Sequence, residues 1–178
     1  SEKTSQSLNS TFSLCKAMSE YHVKRMVFSS SSTVYGIPRV LPVTEDATLQ
    51  PYNPYGQTKL MIEQFLRDVT TANKDWAIIM LRYFNPIGAH PSGLLGESSI
   101  LRADNIFPSI CRVASGELKK LEIYGDNWPT KDGTCIRDYV HVMDVAEGHV
   151  KAIDFLFTKK ESFRSVNLGT GKKTTVLE

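Results

Sequence analysis

Asn53-Pro54-Tyr55-Gly56-Gln57-Thr58-Lys59-Leu60-Met61-Ile62-Glu63-Gln64-Phe65-Leu66-Arg67-Asp68-Val69-Thr70-Thr71 is followed, after a short break, by Trp76-Ala77-Ile78-Ile79-Met80-Leu81. The first segment reads as a helix: Asn53 is a good N-cap, and Pro54 is pre-set for the first helical position. Leu60, Met61, Ile62, Phe65, Leu66 and Val69 supply its buried side. The second is an unbroken apolar run of strand length, the pattern of a strand covered on both faces. The same order stands upstream. Leu8, Phe12, Cys15 and Met18, with Leu14 beside them, recur at helical spacing over about Ser5 to Tyr21, and Val23 to Ser29 reads as a buried strand. Helix, buried strand, long helix, buried strand is the alternation of an α/β fold built on a doubly wound parallel sheet.

Outward from this core the texture changes near Pro86. Gly88 to Ala103 reads as a Gly/Ser-rich loop, Ile106 to Ser115 as a short helix, Leu121 to Tyr124 as a strand, and Gly125 to Gly133 as a polar loop. Val140 to Phe157 is an amphipathic helix with Val145, His149, Ala152 and Leu156 along one stripe, and Ser165 to Leu168 a last short strand. Thr174 to Glu178 reads as the opening of another amphipathic helix. No internal repeat or low-complexity segment interrupts the chain.

Composition narrows the class of function. The 178 residues are 41% hydrophobic, 10% aromatic and 22% charged, with 11 Gly, 8 Pro and 3 Cys, which excludes a disordered tail, a collagenous repeat and a disulfide miniprotein. A formal charge of +2, from 21 basic and 19 acidic residues, gives no footprint for nucleic acid or a membrane surface. No apolar run approaches the roughly 20 residues that span a bilayer, and no secretory signal pattern is found at the start. Cys15, Cys111 and Cys135 suggest neither a disulfide framework nor a metal site, so the expected setting is cytoplasmic. His22, His90, His141 and His149 show no zinc-ligand spacing, and no metal is expected. Asn9-Ser10-Thr11 matches a glycosylation sequon only by pattern.

The chemistry-bearing constellation is Tyr55-x-x-x-Lys59 in the first turns of the long helix. Residues four apart share a helical face about 6 Å apart along the axis. An ammonium beside a phenol favours phenolate. Half-ionisation at neutrality needs a shift of roughly 3 units from a tyrosine value near 10, or about 4 kcal/mol. One lysine supplies part of that, and a second cation such as an oxidised nicotinamide ring would supply the rest. Ser31 and Thr33 follow a buried strand, at the carboxyl edge where open α/β sheets place ligands; hydroxyls there can relay a substrate proton to a phenolate. Each group also has a purely structural reading: Tyr55 as a core-edge aromatic, Lys59 as a solvated charge, Ser31 and Thr33 as turn caps. Their conjunction favours chemistry.

Phe28-Ser29-Ser30-Ser31-Ser32-Thr33-Val34-Tyr35-Gly36, Pro54-Tyr55-Gly56-Gln57-Thr58-Lys59, Arg82-Tyr83-Phe84-Asn85-Pro86-Ile87-Gly88-Ala89-His90-Pro91-Ser92-Gly93 and Asp132-Gly133-Thr134-Cys135-Ile136-Arg137-Asp138-Tyr139-Val140-His141-Val142 together resemble the UDP-glucose 4-epimerase family of extended short-chain dehydrogenases/reductases. The resemblance covers essentially the whole chain. It implies a Rossmann-like fold in part, with residues 1–86 belonging to the NAD-binding domain and 87–178 mainly to a UDP-sugar-binding region interleaved with returning Rossmann elements. It implies NAD-dependent epimerisation at C4 of UDP-glucose and UDP-galactose through a 4-keto sugar, a step of galactose metabolism. Tyr55 matches the proton acceptor at the 4-hydroxyl, Lys59 the residue that tunes it and binds the nicotinamide ribose, and Ser31, assisted by Thr33, the hydroxyl between substrate O4 and the tyrosine. Tyr83 and Phe84 match residues packed around nicotinamide and substrate. Asn85, Asn105, Tyr124 and Arg137 fall where the family contacts UDP-sugar, Tyr124 near the uracil and Arg137 on the pyrophosphate, a role suited to a permanently charged planar guanidinium. Spacing alone leaves a local Arg137–Asp138 ion pair open. A homodimer built on the helices Ser5 to Tyr21 and Asn53 to Thr71 is implied as well, while the same apolar stripes would equally serve a monomer core.

Some positions depart from the family pattern. Gln6 stands where the family usually has asparagine near the cofactor, and Ser32 replaces the more usual alanine. No strand followed by a G-x-G-x-x-G turn is present, and Gly169-Thr170-Gly171-Lys172 is not a phosphate loop, because Val166 and Lys173 stand where Gly and Ser/Thr are required. With Ser1 first, the expectation is an internal fragment of a longer epimerase, lacking the first βαβ units and the C-terminal remainder, and inactive in isolation. A sugar-nucleotide 4,6-dehydratase is disfavoured, because Val34-Tyr35 follows Thr33 in place of an Asp-Glu pair. A 4-epimerase for UDP-xylose or UDP-N-acetylhexosamine, or a non-catalytic binding or interaction domain, are the alternatives.

Overall fold

A computed structural model of the chain describes residues 2–97, 105–158 and 161–178. In chain order its elements are α1 (Glu2–Glu20), β1 (Arg25–Ser31), a 3-10 turn (Ser32–Tyr35), α2 (Pro54–Ala72), β2 (Ala77–Tyr83), β3 (Asn85–Ile87), α3 (Ile106–Ala114), β4 (Ile136–Arg137), β5 (Tyr139–His141), α4 (Val142–Thr158), β6 (Phe163–Leu168) and β7 (Thr174–Thr175). They divide into two units, Ser1–Phe84 with Glu147–Leu168, and Asn85–Ala146 with Gly169–Glu178.

The first unit is a three-stranded parallel sheet in the order β1-β2-β6. Alternation along the strands sends side chains to opposite faces. Met26, Ile78 and Met80 meet Cys15 of α1 and Ile62 and Leu66 of α2 on one face; Ile79 and Leu81 meet Ala152 and Leu156 of α4 on the other. β2 is therefore buried along nearly its whole length, which is what its unbroken apolar run requires. Asn53 starts α2 as anticipated, its Oδ1 accepting from Gly56 N at 2.7 Å.

The second unit carries short pairings: β3 with β5, parallel, and β4 with β7, antiparallel. The loop expected over Gly88 to Ala103 lies partly outside the described residues. Three expectations are corrected. Leu121–Tyr124 forms no strand: among the described residues no strand pairs with it, and a lone strand leaves its backbone groups unpaired. Thr174–Thr175 pairs as β7 instead of opening a helix, consistent with the strand preference of its β-branched run Thr174-Thr175-Val176. Met61 is 53% exposed, so of the expected side of α2 Ile62 and Leu66 are buried and Phe65 and Val69 pack half-buried against the core, joined by Thr58, Thr70 and, unexpectedly, Glu63; Phe12 and Leu14 of α1 are also open.

Among the described residues no helix is long and apolar enough to cross a membrane, and no group of three or more His, Cys, Asp or Glu is placed to hold a metal ion.

Candidate active site

Strand register does the first part of the positioning. Ser31 pairs with Tyr83 and Tyr83 with Leu168, so the last residues of β1, β2 and β6 form a row at the carboxyl edge of the sheet. Ser31 then caps the 3-10 turn, its Oγ accepting from Thr33 N at 3.2 Å and from Thr33 Oγ1 at 3.0 Å. The two predicted hydroxyls are thereby locked to each other beside the row.

Helix α2 brings Tyr55 and Lys59 to the same unit. Tyr55 is 53% exposed. Its phenol is pushed above the usual tyrosine range, first by partial burial and then by Tyr83, with the Ser31 hydroxyl pulling the other way. Lys59 Nζ donates to Ser29 O at 2.8 Å and lies 5.0 Å from the centre of the Phe28 ring and 5.7 Å from that of Tyr55. Burial lowers the pKa of this ammonium and the charge of Glu63 raises it. A lysine held by one carbonyl keeps further N–H groups to donate. Ser31, Thr33, Tyr55, Lys59 and Tyr83 thus cluster in the first unit, together with Phe84, whose N donates to Leu168 O at 3.1 Å.

The remaining candidates lie in the second unit. Asn85 donates from both N and Nδ2 to Asp138 O, at 3.0 and 3.1 Å. Arg137, in β4, is exposed; its Nη1 donates to the Ile136 carbonyl at 3.4 Å and its charge acts on Tyr139, while the carboxylate of Asp138 turns to Thr170 and Gly171, and the local ion pair is not formed. Asn105 sits at the N-cap of α3 without capping it, its Nδ2 donating to Glu97 Oε1 at 3.3 Å. Tyr124 is 79% exposed and donates to Glu122 Oε2 at 3.0 Å. The β3–β5 pairing and Asp138 bring Asn85 and Arg137 into one neighbourhood; no described contact joins Asn105 or Tyr124 to them.

A family model described as "NAD dependent epimerase/dehydratase family" matches residues 3–169. The chain belongs to that family. It is 53% identical over 171 residues to the UDP-glucose 4-epimerase of Bacillus subtilis (strain 168), covering 96% of this chain and 50% of that protein. It is 50% identical over 169 residues to bifunctional UDP-glucose 4-epimerase and UDP-xylose 4-epimerase 3 of Arabidopsis thaliana, covering 94% of this chain and 48% of that one. Among solved structures, UDP-glucose 4-epimerase from Bifidobacterium longum in complex with NAD+ and UDP aligns with a TM-score of 0.94 at 50% identity, covering 99% of this chain and 52% of that one. The chain spans about half the length of the curated relatives it matches.

This epimerase/dehydratase chain has supporting residues that sequence reasoning missed. Arg82, 1% exposed, donates from Nε and Nη2 to Glu63 at 3.0 and 2.6 Å and from Nη1 to Tyr35 Oη at 2.9 Å. Ser30 Oγ donates to the same carboxylate, and Tyr35 Oη donates to Asn167 Oδ1 at 2.7 Å. Burial alone would lower the Arg82 pKa, but its hydrogen bonds to Glu63 and Tyr35 outweigh that and raise it. The network ties β1, β2, β6 and α2 together, and its Glu63 acts on the charge of Lys59 one turn earlier in α2. His149 is the second omission: its Nε2 lies 2.7 Å from Ser29 Oγ, and its ring 6.3 Å from that of Tyr83. Its place on the α4 stripe is legible in the sequence, its polar partner is not.

Proposed function

We propose that the protein carrying this chain catalyses NAD-dependent epimerisation at C4 of UDP-hexoses, interconverting UDP-glucose and UDP-galactose through a 4-keto sugar in galactose metabolism. The observation that carries the reading is the grouping of Ser31, Thr33, Tyr55, Lys59 and Tyr83 at the carboxyl edge of one parallel sheet. The donor set fits the nicotinamide-ribose end of NAD. Lys59 has N–H groups beyond the one given to Ser29 O for ribose hydroxyls, and Tyr83 and Phe84 offer aromatic surface. Bound NAD supplies a reversible hydride acceptor for C4.

The chain's own groups handle the proton. Tyr55 oxygen takes it from the sugar 4-hydroxyl and returns it once C4 has been reduced from the other face; Ser31, braced by Thr33, spans O4 and the phenol. Partial burial holds Tyr55 largely protonated, and Lys59 is turned to Ser29 O, so the phenol needs a further cation near it. That requirement supports an oxidised nicotinamide as the partner. Arg137, Asn85, Asn105 and Tyr124 hold the UDP portion, with Arg137 on the pyrophosphate and Tyr124 at the uracil.

Residues 1–86 form part of the NAD-binding domain and 87–178 mainly the UDP-sugar-binding region. The free Cys15, Cys111 and Cys135 support a cytoplasmic setting, and the open apolar residues Phe12, Leu14 and Met61 on α1 and α2 support a homodimer. Action on UDP-xylose is the second reading, favoured by the bifunctional Arabidopsis relative. In the full protein, Tyr55→Phe is expected to depress UDP-galactose turnover by about 10²- to 10⁴-fold with UDP affinity retained. Near-normal turnover sinks the assignment of Tyr55. Absence of both turnover and UDP binding in the unsubstituted protein points instead to a non-catalytic domain.

A further inference from the structure

Asp138 has no part in the reading above, yet three donors of one turn converge on it. Its Oδ1 accepts from Thr170 N at 2.9 Å and Thr170 Oγ1 at 2.7 Å, and its Oδ2 accepts from Gly171 N at 2.8 Å. Gly171 has φ +72°, the left-handed conformation that lets successive amides converge on one anion. Gly169-Thr170-Gly171-Lys172, the one stretch that looks like a phosphate loop, is therefore filled from within by a carboxylate. On its other side the Asp138 carbonyl accepts both the main-chain and the side-chain N–H of Asn85.

The position of this residue makes the contacts consequential. Asp138 lies between β4, whose pairing with β7 covers Ile136 and Arg137, and β5, whose pairing with β3 covers Tyr139 to His141. Ladders of two or three residues fix a backbone weakly on their own. Three hydrogen bonds to one ionised carboxylate are stronger than neutral ones. The hydrogen bond of the Arg137 guanidinium to Ile136 O is long, at 3.4 Å, and stays within its own strand, so its placement follows the backbone on either side of it.

We propose that Asp138 is a positioning residue: by latching the Thr170–Gly171 turn with its carboxylate and Asn85 with its carbonyl, it fixes the backbone that presents Arg137 and Asn85 to the nucleotide sugar. The inference rests on the reading of Arg137 as a pyrophosphate contact. Small displacements of a binding group cost much of its effect, so loosening the latch weakens UDP binding without touching the groups that move the proton.

The test uses the full protein with Asp138→Ala, Asp138→Asn, Thr170→Val and Arg137→Ala, titrating UDP by calorimetry and measuring kcat and KM for UDP-galactose alongside Tm. Asp138→Ala is expected to weaken UDP about tenfold or more and to raise KM in step, with kcat little changed. Asp138→Asn, which keeps one acceptor oxygen, and Thr170→Val, which removes one donor, fall between. A lowered Tm with UDP affinity and KM unmoved makes Asp138 merely structural and overturns the proposal. If Asp138→Ala fails to fold, unchanged UDP affinity in both Asp138→Asn and Thr170→Val overturns it equally. Full UDP affinity in Arg137→Ala removes the underlying assignment of Arg137 and the latch with it. Loss in Arg137→Ala with none in the other three removes the latch alone.

Discussion

A methyl group on Gly56 would lie 2.8 Å from the carbonyl oxygen of Thr33 and 2.8 Å from Pro51 Cβ. The first turn of α2 therefore rests directly on the turn that carries Ser31 and Thr33, and the absent side chain at Gly56 is what lets Tyr55 and Lys59 sit beside those hydroxyls. Neither contact can be relieved by a flexible side chain. Gly56→Ala is expected to lift the start of α2 and to lower turnover well beyond the stability cost of about 1–3 kcal/mol typical of overpacking. The helix preference for alanine works the other way, so a stabilised, fully active variant would show that the close approach is not needed.

Glu63 and Arg82 form a buried ion pair with side chains almost wholly out of water. Removing one member strands the other charge, so Arg82→Met is expected to destabilise by about 3–5 kcal/mol in urea unfolding. The double change Glu63→Met with Arg82→Met leaves no unpaired charge. It costs less than Arg82→Met alone, though Tyr35 and Ser30 each lose a partner. A double variant as unstable as the sum of the single ones would mean that the two charges act independently.

The core of the first unit is legible in the sequence because its elements are long and signalled: an Asn-Pro start, a helical apolar face, an apolar run buried on both sides. The second unit is not. β3, β4, β5 and β7 are two or three residues long, too short for any periodicity, and the apolar look of Leu121–Tyr124 has no strand to pair with. The burial of Glu63 does not show in the sequence because its partner Arg82 arrives from a different element, and the close approach at Gly56 does not show because the carbonyl it meets belongs to the preceding turn. The Tyr55–Lys59 spacing is legible in the sequence, but it does not say that the ammonium faces Ser29 O.

That orientation sets the titration of the site. Partial burial raises the Tyr55 pKa, so unliganded protein should show a phenol titrating above the ordinary value of about 10, lost in Tyr55→Phe and read by ultraviolet difference absorption. The sign for stability follows. The folded state holds the proton to higher pH than the unfolded state, so the contribution is present below about pH 10 and lost as pH rises through the folded value. Lys59→Met should leave this titration nearly unmoved in the unliganded protein while weakening NAD. A large upward move in Lys59→Met would show that the ammonium already acts on Tyr55 before any ligand binds.

Asp132 gives the opposite pH signature in the second unit. Its carboxylate is held from 3.8 down to about 2, first by the Thr175 hydroxyl, with burial opposing, and then by Thr134 N, Thr134 Oγ1 and Thr130 Oγ1. These bonds join the 130–134 turn to β7, whose ladder is too short to hold itself. Below its ordinary value the unfolded chain takes up a proton that the folded chain refuses, so the stabilisation is complete above about pH 4 and drains away as pH falls toward 2. Asp132→Asn should therefore be less stable than the parent by a constant margin from neutral pH down to about pH 4, and the gap should close by about pH 2. Hydrogen exchange at the Thr134 and Thr175 amides reads this locally. A margin that stays the same down to pH 2 would mean that the carboxylate charge contributes nothing and the turn is held by shape alone.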